Sequence, residues 1–133
     1  MIKLDHIAIW ADDIEKIKEY YIRFFDAESN NKYINPNTGF SSYFLSFGDG
    51  SRIEVMHRAD IPDNANDVIE RQYKGYIHIS FVVDTKADVD AKAKQLADAG
   101  YPILRGPRVT GDGYYEFETI DPENNRLEVM VKN

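Results

Sequence analysis

The chain contains no cysteine among its 133 residues. This absence excludes disulfide bonds, thiolate metal sites and cysteine nucleophiles, so any metal site must use histidine, aspartate or glutamate. It also fits a reducing compartment. The N-terminal run carries Asp5 and His6 and lacks the pattern of a cleavable signal peptide. We therefore expect a cytoplasmic protein.

Basic residues are few and scattered. The chain has 16 Lys and Arg against 23 Asp and Glu, which gives a net charge of −7 and a pI near 4.9. This balance argues against non-specific binding to nucleic acid or to an anionic membrane. No apolar run approaches the roughly 20 residues that a membrane-spanning helix needs. The hydrophobic share of 43% is ordinary for a globular protein.

The sequence is an internal repeat. Each half reads as a strand, a helix and then three strands, and each half ends in a closely similar segment, RIEVM at 52–56 and RLEVM at 126–130. Alternating apolar residues predict the strands, among them a weak strand at 28–34 and a short strand at YPILRG, residues 101–106. A 3.6-residue period predicts helices near 13–25 and 86–99. We expect Asp12 to cap the first helix, with Glu15 in the capping-box position.

This repeat predicts an α+β fold of paired βαβββ modules. The first module covers residues 1–57, a polar linker covers 58–75, and the second module covers 76–133. Two copies of one unit, each with an inward-facing sheet, most simply pack as one domain around a common cleft.

Each module carries one histidine and one glutamate on otherwise apolar strands. The pairs are His6 with Glu54 and His78 with Glu128, separated by 48 and 50 residues. Because side chains alternate along a strand, the aliphatic neighbours of the glutamates point towards the helix. The polar side chains should therefore point to the opposite face, where all four would converge.

Four such groups in a partly dry cleft are unfavourable unless a cation is bound among them. Two imidazole nitrogens and two carboxylates suit nickel, zinc, cobalt or manganese better than calcium or magnesium. Taken singly, a strand histidine or glutamate is more often a core or solvated residue. The repetition at matched positions favours a site for one divalent metal ion, with room left for a substrate.

Other residues leave alternatives open. Arg52 and Arg126 share faces with the two glutamates and either touch a substrate or pack at the rim. His57 has the opposite parity from Glu54, so we expect it to be a surface residue that points away from the site.

The segments DHIAIW, RIEVM, YIHISFVVD and DPENNRLEVM resemble the vicinal oxygen chelate superfamily over essentially the whole chain. That superfamily includes glyoxalase I, methylmalonyl-CoA epimerase, extradiol dioxygenases, fosfomycin-resistance thiol transferases and bleomycin-binding proteins. The resemblance implies the glyoxalase-like fold, a homodimer and a small-molecule substrate.

The set His6, Glu54, His78 and Glu128 looks most like the ligand set of small bacterial glyoxalase I. This resemblance implies a metal-dependent lyase or isomerase that acts on a thiohemiacetal or related α-hydroxycarbonyl substrate through an enediolate. It points to Glu128 as the principal base and to Glu54 as its counterpart. The alternatives are a metal-dependent thiol transferase or dioxygenase of the same superfamily, and a non-catalytic binding or resistance protein.

One position departs from that pattern. Trp10 stands where small glyoxalases carry an arginine that holds the glutathione carboxylate. The tryptophan is either a core or rim aromatic residue, or part of a site for a more apolar substrate. The identity of the thiol is therefore left open.

Overall fold

The computed structural model describes residues 1–132, which form two compact units. The first unit is Met1–Ala65, and the second begins at Asn66. Each unit has one helix packed on one sheet, which confirms the predicted α+β fold of repeated modules.

The first unit contains one helix and five strands. They are β1 (Ile7–Trp10), α1 (Ile14–Phe25), β2 (Glu28–Ser29), β3 (Tyr33–Ile34), β4 (Ser41–Ser46) and β5 (Arg52–His57). The strand order is β1-β5-β4-β2, and β3 also pairs with β4. β1 runs parallel to β5, and the other pairs are antiparallel.

The second unit repeats this arrangement. Its elements are β6 (His78–Val82), α2 (Lys86–Asp98), β7 (Ile103–Val109), β8 (Tyr114–Ile120) and β9 (Arg126–Lys132), and its strand order is β6-β9-β8-β7. β6 is parallel to β9, as β1 is to β5. The two parallel pairs therefore occupy equivalent places in the two sheets.

Each core lies between the helix and one face of its sheet. In the first unit, Ile17 and Tyr21 of α1 are buried together with Val55 of β5. In the second unit, Leu96 of α2 is buried together with Val129 of β9. Full burial of such side chains contributes about 1.5–3 kcal/mol each. The helix covers the apolar face of each sheet, and the glutamates lie on the other face.

The predicted helix bounds are close to those observed, but the predicted cap of α1 is wrong. Asp13, not Asp12, is the N-cap, and its side chain accepts a hydrogen bond from the Lys16 backbone N–H at 3.0 Å. The helix begins at Ile14, so only the residue directly before it can reach the first free N–H groups. Glu15 instead accepts hydrogen bonds from the Tyr43 hydroxyl.

No helix within residues 1–132 has the length and apolar character needed to cross a membrane.

Candidate metal centre

The first candidate ligand pair joins the start of β1 to the middle of β5. Glu54 lies opposite Ala8 in the parallel pairing, and His6 directly precedes β1. His6 Nε2 is 3.6 Å from Glu54 Oε1. Two donors bound to one ion at about 2.1 Å each would be about 3.0–3.4 Å apart. The distance between these two atoms is therefore too long for a hydrogen bond but close to the spacing that a shared cation requires.

The second pair has the same construction. Glu128 lies opposite Ser80, and His78 Nε2 is 3.8 Å from Glu128 Oε2. The Ser80 hydroxyl donates a hydrogen bond of 2.7 Å to the other oxygen, Glu128 Oε1. The side chains of Glu54 and Glu128 are only 17% and 15% exposed. Partly buried carboxylates beside imidazole nitrogens are a donor set that fits a divalent transition metal.

The structure thus brings His6 together with Glu54, and His78 together with Glu128. The predicted binding of one ion by all four residues stays a prediction.

His6 has a carboxylate behind it. Its Nδ1 lies 2.6 Å from Asp5 Oδ2, and the same oxygen accepts a hydrogen bond from the Arg52 guanidinium. The hydrogen bond with His6, followed by that with Arg52, lowers the pKa of Asp5 below its ordinary value. Asp5 is therefore an ionised acceptor at neutral pH. Arg52, whose role was left open above, forms an ion pair with Asp5.

In the second unit a further carboxylate lies near the pair. Ligand atoms of His78, Glu118 and Glu128 lie within 4.8 Å of one another. Glu118 is buried, and its Oε2 is 3.0 Å from Arg105 Nε and 3.5 Å from Arg126 Nη1. Because two guanidiniums neutralise this oxygen, we assign Glu118 to holding the arginines rather than to the ion.

Glu116 is the second additional carboxylate. Its burial, followed by a hydrogen bond with Glu128 and repulsion from that carboxylate, raises the pKa of Glu116 to about 7. Two neighbouring carboxylates in a poorly solvated place favour one shared proton over two negative charges. Near neutral pH, part of the Glu116 population is therefore protonated and donates that hydrogen bond to Glu128.

An irregularity in β7 places two arginines beside these glutamates. Arg105 pairs with Glu118 of β8, and Arg108 pairs with Glu116, with a register shift between the two pairs. Three steps along β7 thus match two steps along β8, which is a β-bulge. Without the bulge, residues three apart would point to opposite faces. With it, both arginines lie opposite the acidic residues.

Glu116 and Glu118 were not predicted from the sequence. The signal was present, because each lies between apolar or buried neighbours in YYEFETI, as Glu54 does in RIEVM. However, their register counterparts in the first unit are Ser42 and Phe44, which carry no charge. A search for polar residues that repeat in both halves therefore does not find Glu116 or Glu118.

Two other predictions are corrected or resolved. His57 is half-buried rather than a free surface residue, because its Nδ1 bonds the Ala11 carbonyl oxygen at 2.9 Å. Arg126 is buried, and its Nη2 donates to the carbonyl oxygens of Val68 and Ile69 at 3.0 and 3.1 Å. Of the two roles left open for Arg126, the structure favours packing, since the guanidinium holds the preceding segment against the sheet.

Trp10 is an exposed aromatic residue on the same sheet face as Glu54. It lies opposite Met56, and its side chain makes an edge contact with Phe40 at a centroid distance of 6.0 Å. The Arg58 guanidinium lies 5.5 Å from the indole centroid. The residue is 40% exposed, so it is a rim aromatic rather than a core residue.

Comparisons with known proteins agree on the fold. The family described as the Glyoxalase/Bleomycin resistance protein/Dioxygenase superfamily matches residues 3–129. An uncharacterized protein of Bacillus subtilis (strain 168), YqjT, is 24% identical over 96% of this chain and 98% of its own length.

Two solved structures have a similar fold. The fosfomycin resistance protein FosX of Listeria monocytogenes, solved with Mn(II) and sulfate, is 19% identical and has a TM-score of 0.73, covering 100% of this chain and 95% of its own. The trypanothione-dependent glyoxalase I of Leishmania major is 15% identical and has a TM-score of 0.79, covering 99% and 88%. At these identities the likeness shows the fold alone.

Proposed function

Because the chain belongs to the Glyoxalase/Bleomycin resistance protein/Dioxygenase superfamily, we propose that it is a metal-dependent lyase or isomerase of the glyoxalase I type. The proposed substrate is a thiohemiacetal or a related α-hydroxycarbonyl compound. The observation that carries the proposal is the pair of matched contacts, His6 to Glu54 at 3.6 Å and His78 to Glu128 at 3.8 Å. Binding or resistance proteins that hold a drug without chemistry need no such set.

The proposed ligands are His6, Glu54, His78 and Glu128, and the ion is nickel, zinc, cobalt or manganese. When bound, the ion would supply Lewis-acid stabilisation of the negative charge that develops on the substrate oxygens. Each imidazole would be neutral and would coordinate through Nε2, the nitrogen that faces the carboxylate in both pairs. A homodimer is proposed together with this site.

Glu128 is the proposed general base. Its carboxylate would take the proton from the carbon next to the carbonyl, which leaves an enediolate, and would return it to the neighbouring carbon. The hydrogen bond from the Ser80 hydroxyl to Oε1 would keep this carboxylate oriented. Glu54 is the proposed counterpart on the first unit and faces Ala8 instead of a hydroxyl.

The thiol need not be glutathione. The position that would carry a glutathione-binding arginine holds Trp10, which contacts the Phe40 ring and lies beside the Arg58 guanidinium. An indole face favours an apolar or planar group, and the Arg58 guanidinium beside it is already paired with Asp60. This supports a more apolar thiol adduct as the substrate.

The test is a turnover assay on reconstituted protein. Chelator-stripped protein is reloaded separately with nickel, cobalt, zinc or manganese and given α-ketoaldehydes premixed with glutathione and with other thiols. We expect thioester formation by at least one loaded form. Glu128→Gln should keep most of the metal and lose about 10²–10⁴-fold in rate, the usual contribution of a general base.

The matched control is Glu19→Gln, since Glu19 is an exposed glutamate of α1 whose carboxylate lies beside Lys18. It should change neither metal content nor rate. If every loaded form leaves all adducts unchanged but the protein binds a hydrophobic drug-like compound tightly, the lyase proposal fails and the binding-protein alternative replaces it.

A further inference from the structure

The His6 ring belongs to a closed cluster of four side chains in the first unit. Asp5 Oδ2 bonds both His6 Nδ1 and the Arg52 guanidinium. The guanidinium lies 4.6 Å from the centroid of the Phe44 ring, and that ring makes an edge contact with His6 at 5.0 Å. The imidazole is therefore held by a charged acceptor on one nitrogen and by an aromatic ring on its side.

This arrangement determines which nitrogen carries the proton. An ionised carboxylate can only accept hydrogen bonds, so the contact of 2.6 Å requires the proton of a neutral His6 to be on Nδ1. Nε2 then keeps its lone pair, and it is Nε2 that faces Glu54. A neutral histidine free in water does not have its tautomer fixed in this way.

The second unit lacks this cluster at the equivalent positions. Ile77 precedes His78 where Asp5 precedes His6, and Glu118 takes the register place of Phe44. Arg126, the counterpart of Arg52, is committed to Glu118 and to the Val68 and Ile69 carbonyls. The two repeats thus keep the same candidate ligands but support their histidines differently.

We infer that Asp5 and Arg52 are positioning residues that fix His6 in the Nδ1-protonated tautomer and make it the more strongly preorganised histidine of the proposed site. A carboxylate behind a metal-binding imidazole orients the ring and raises its basicity as a ligand. Arg52 in turn holds Asp5, whose side chain is 69% exposed and would otherwise be free to turn into solvent. The inference about metal affinity rests on the proposed function, whereas the tautomer is a property of the metal-free protein.

The first measurement is therefore made without metal. In chelator-treated protein labelled with ¹⁵N in its histidines, NMR at mildly alkaline pH should show His6 almost wholly protonated on Nδ1. Asp5→Ala should shift that signal towards a mixture of tautomers and leave the His78 signals unchanged. A wild-type His6 protonated mainly on Nε2 would overturn the inference, whatever the protein does with metal.

The second measurement is the dissociation constant for Zn²⁺ and Mn²⁺ by calorimetry. Loss of such a supporting carboxylate typically weakens metal binding 10–100-fold, so we expect a weakening in that range for Asp5→Ala and a smaller one for Arg52→Gln. Asp60→Ala is the matched control, because Asp60 is also 69% exposed and also pairs with an arginine, Arg58, but touches no candidate ligand.

The outcomes separate the two proposals. If the wild type binds the ions and Asp5→Ala binds them equally well, the positioning role is wrong while the proposed function stands. If the wild type binds neither these ions nor nickel nor cobalt, the proposed function fails, and the NMR result alone decides whether Asp5 fixes the tautomer. Thermal melting of each variant checks that the exposed substitutions leave the fold intact.

Discussion

Two glutamates with equivalent places in the repeat have different surroundings. Glu54 lies opposite Phe44 and Ala8, which offer no hydrogen bond from their side chains. Glu128 accepts a hydrogen bond from Ser80 and lies beside the protonatable Glu116. The hydrogen bond from Ser80 orients the Glu128 carboxylate, which Phe44 and Ala8 cannot do for Glu54. This difference supports Glu128 as the principal base.

Ser80→Ala tests this asymmetry. The Ser80 hydroxyl donates a hydrogen bond of 2.7 Å to Glu128 Oε1. A hydrogen bond to a charged group contributes about 1.5–3 kcal/mol. We expect the turnover of the metal-loaded protein to fall by roughly 10-fold or more, with one metal ion still bound per chain. The measurement is the steady-state rate together with metal content.

Ser51→Ala provides the control for that substitution. Its hydroxyl donates to the Asp49 carboxylate at 2.9 Å in an exposed turn, so the same chemical group is lost away from the candidate ligands. Unchanged rate and unchanged metal affinity in Ser80→Ala would show that the hydroxyl has no part in positioning Glu128.

At this scale the sequence predicts some of the site and misses the rest for a physical reason. Alternation along a strand shows that Glu54 and Glu128 leave the core face, because only their neighbours are apolar. Asp5 is adjacent to His6 in sequence, but the contact between their side chains depends on the side-chain torsion of Asp5 and on its ion pair with Arg52, 47 residues away. Pairings of this kind follow from sheet register, which the sequence alone did not specify.

At the scale of elements, β7 is the strand that departs most from the regular pattern. Gly106 has φ of +79°, and a Cβ there would lie 2.4 Å from the Glu116 carbonyl oxygen. Only glycine allows the two backbones to approach so closely at this bulge.

The sequence prediction placed a short strand at YPILRG, whereas β7 continues to Val109 past the bulge. Glycine and proline at 106–107 read as a strand end, and the continuation depends on pairing with β8.

Gly106→Ala should therefore destabilise the protein more than an ordinary glycine substitution. A non-glycine residue in a left-handed conformation costs roughly 1–2 kcal/mol, and the backbone contact adds to that cost. Gly113→Ala is the control, because Gly113 also has a positive φ, +90°, but open space around it. Urea unfolding of both variants measures the difference, and equal losses of stability would show that the close approach at Gly106 is not what requires glycine.

On the scale of the whole chain, the repeat was the most informative feature of the sequence. It predicted two sheets of similar topology, and both appear with the same parallel pair, β1 with β5 and β6 with β9. The predicted strand over residues 28–34 is instead two short strands, β2 and β3. Short edge strands carry few apolar residues, so their bounds depend on hydrogen bonds to β4 rather than on periodicity.

The predicted homodimer has a physical basis in each unit. Tyr33 and Ile34 of β3, and Val109 of β7, are large apolar side chains that remain more than half exposed. Exposed apolar residues on strands favour association with a second surface, and most such association is between identical chains. Sedimentation velocity should show a dimer at micromolar concentration, and a monomer there would contradict this expectation.

The last prediction concerns how many ions the whole chain binds. If His6, Glu54, His78 and Glu128 hold one ion together, calorimetry should give one Zn²⁺ per chain, and His78→Ala should abolish stoichiometric binding. If each histidine–glutamate pair held its own ion, the wild type would bind two and His78→Ala would keep one. A ligand at 100 times its dissociation constant stabilises the folded state by about 2.7 kcal/mol, so the shared ion should also raise the melting temperature in a way that EDTA reverses.

His57→Ala is the control, since His57 bonds the Ala11 carbonyl and neither glutamate. This variant should keep one ion per chain. Full occupancy in His78→Ala would show that His78 is not a ligand, and the four-residue site would then be wrong.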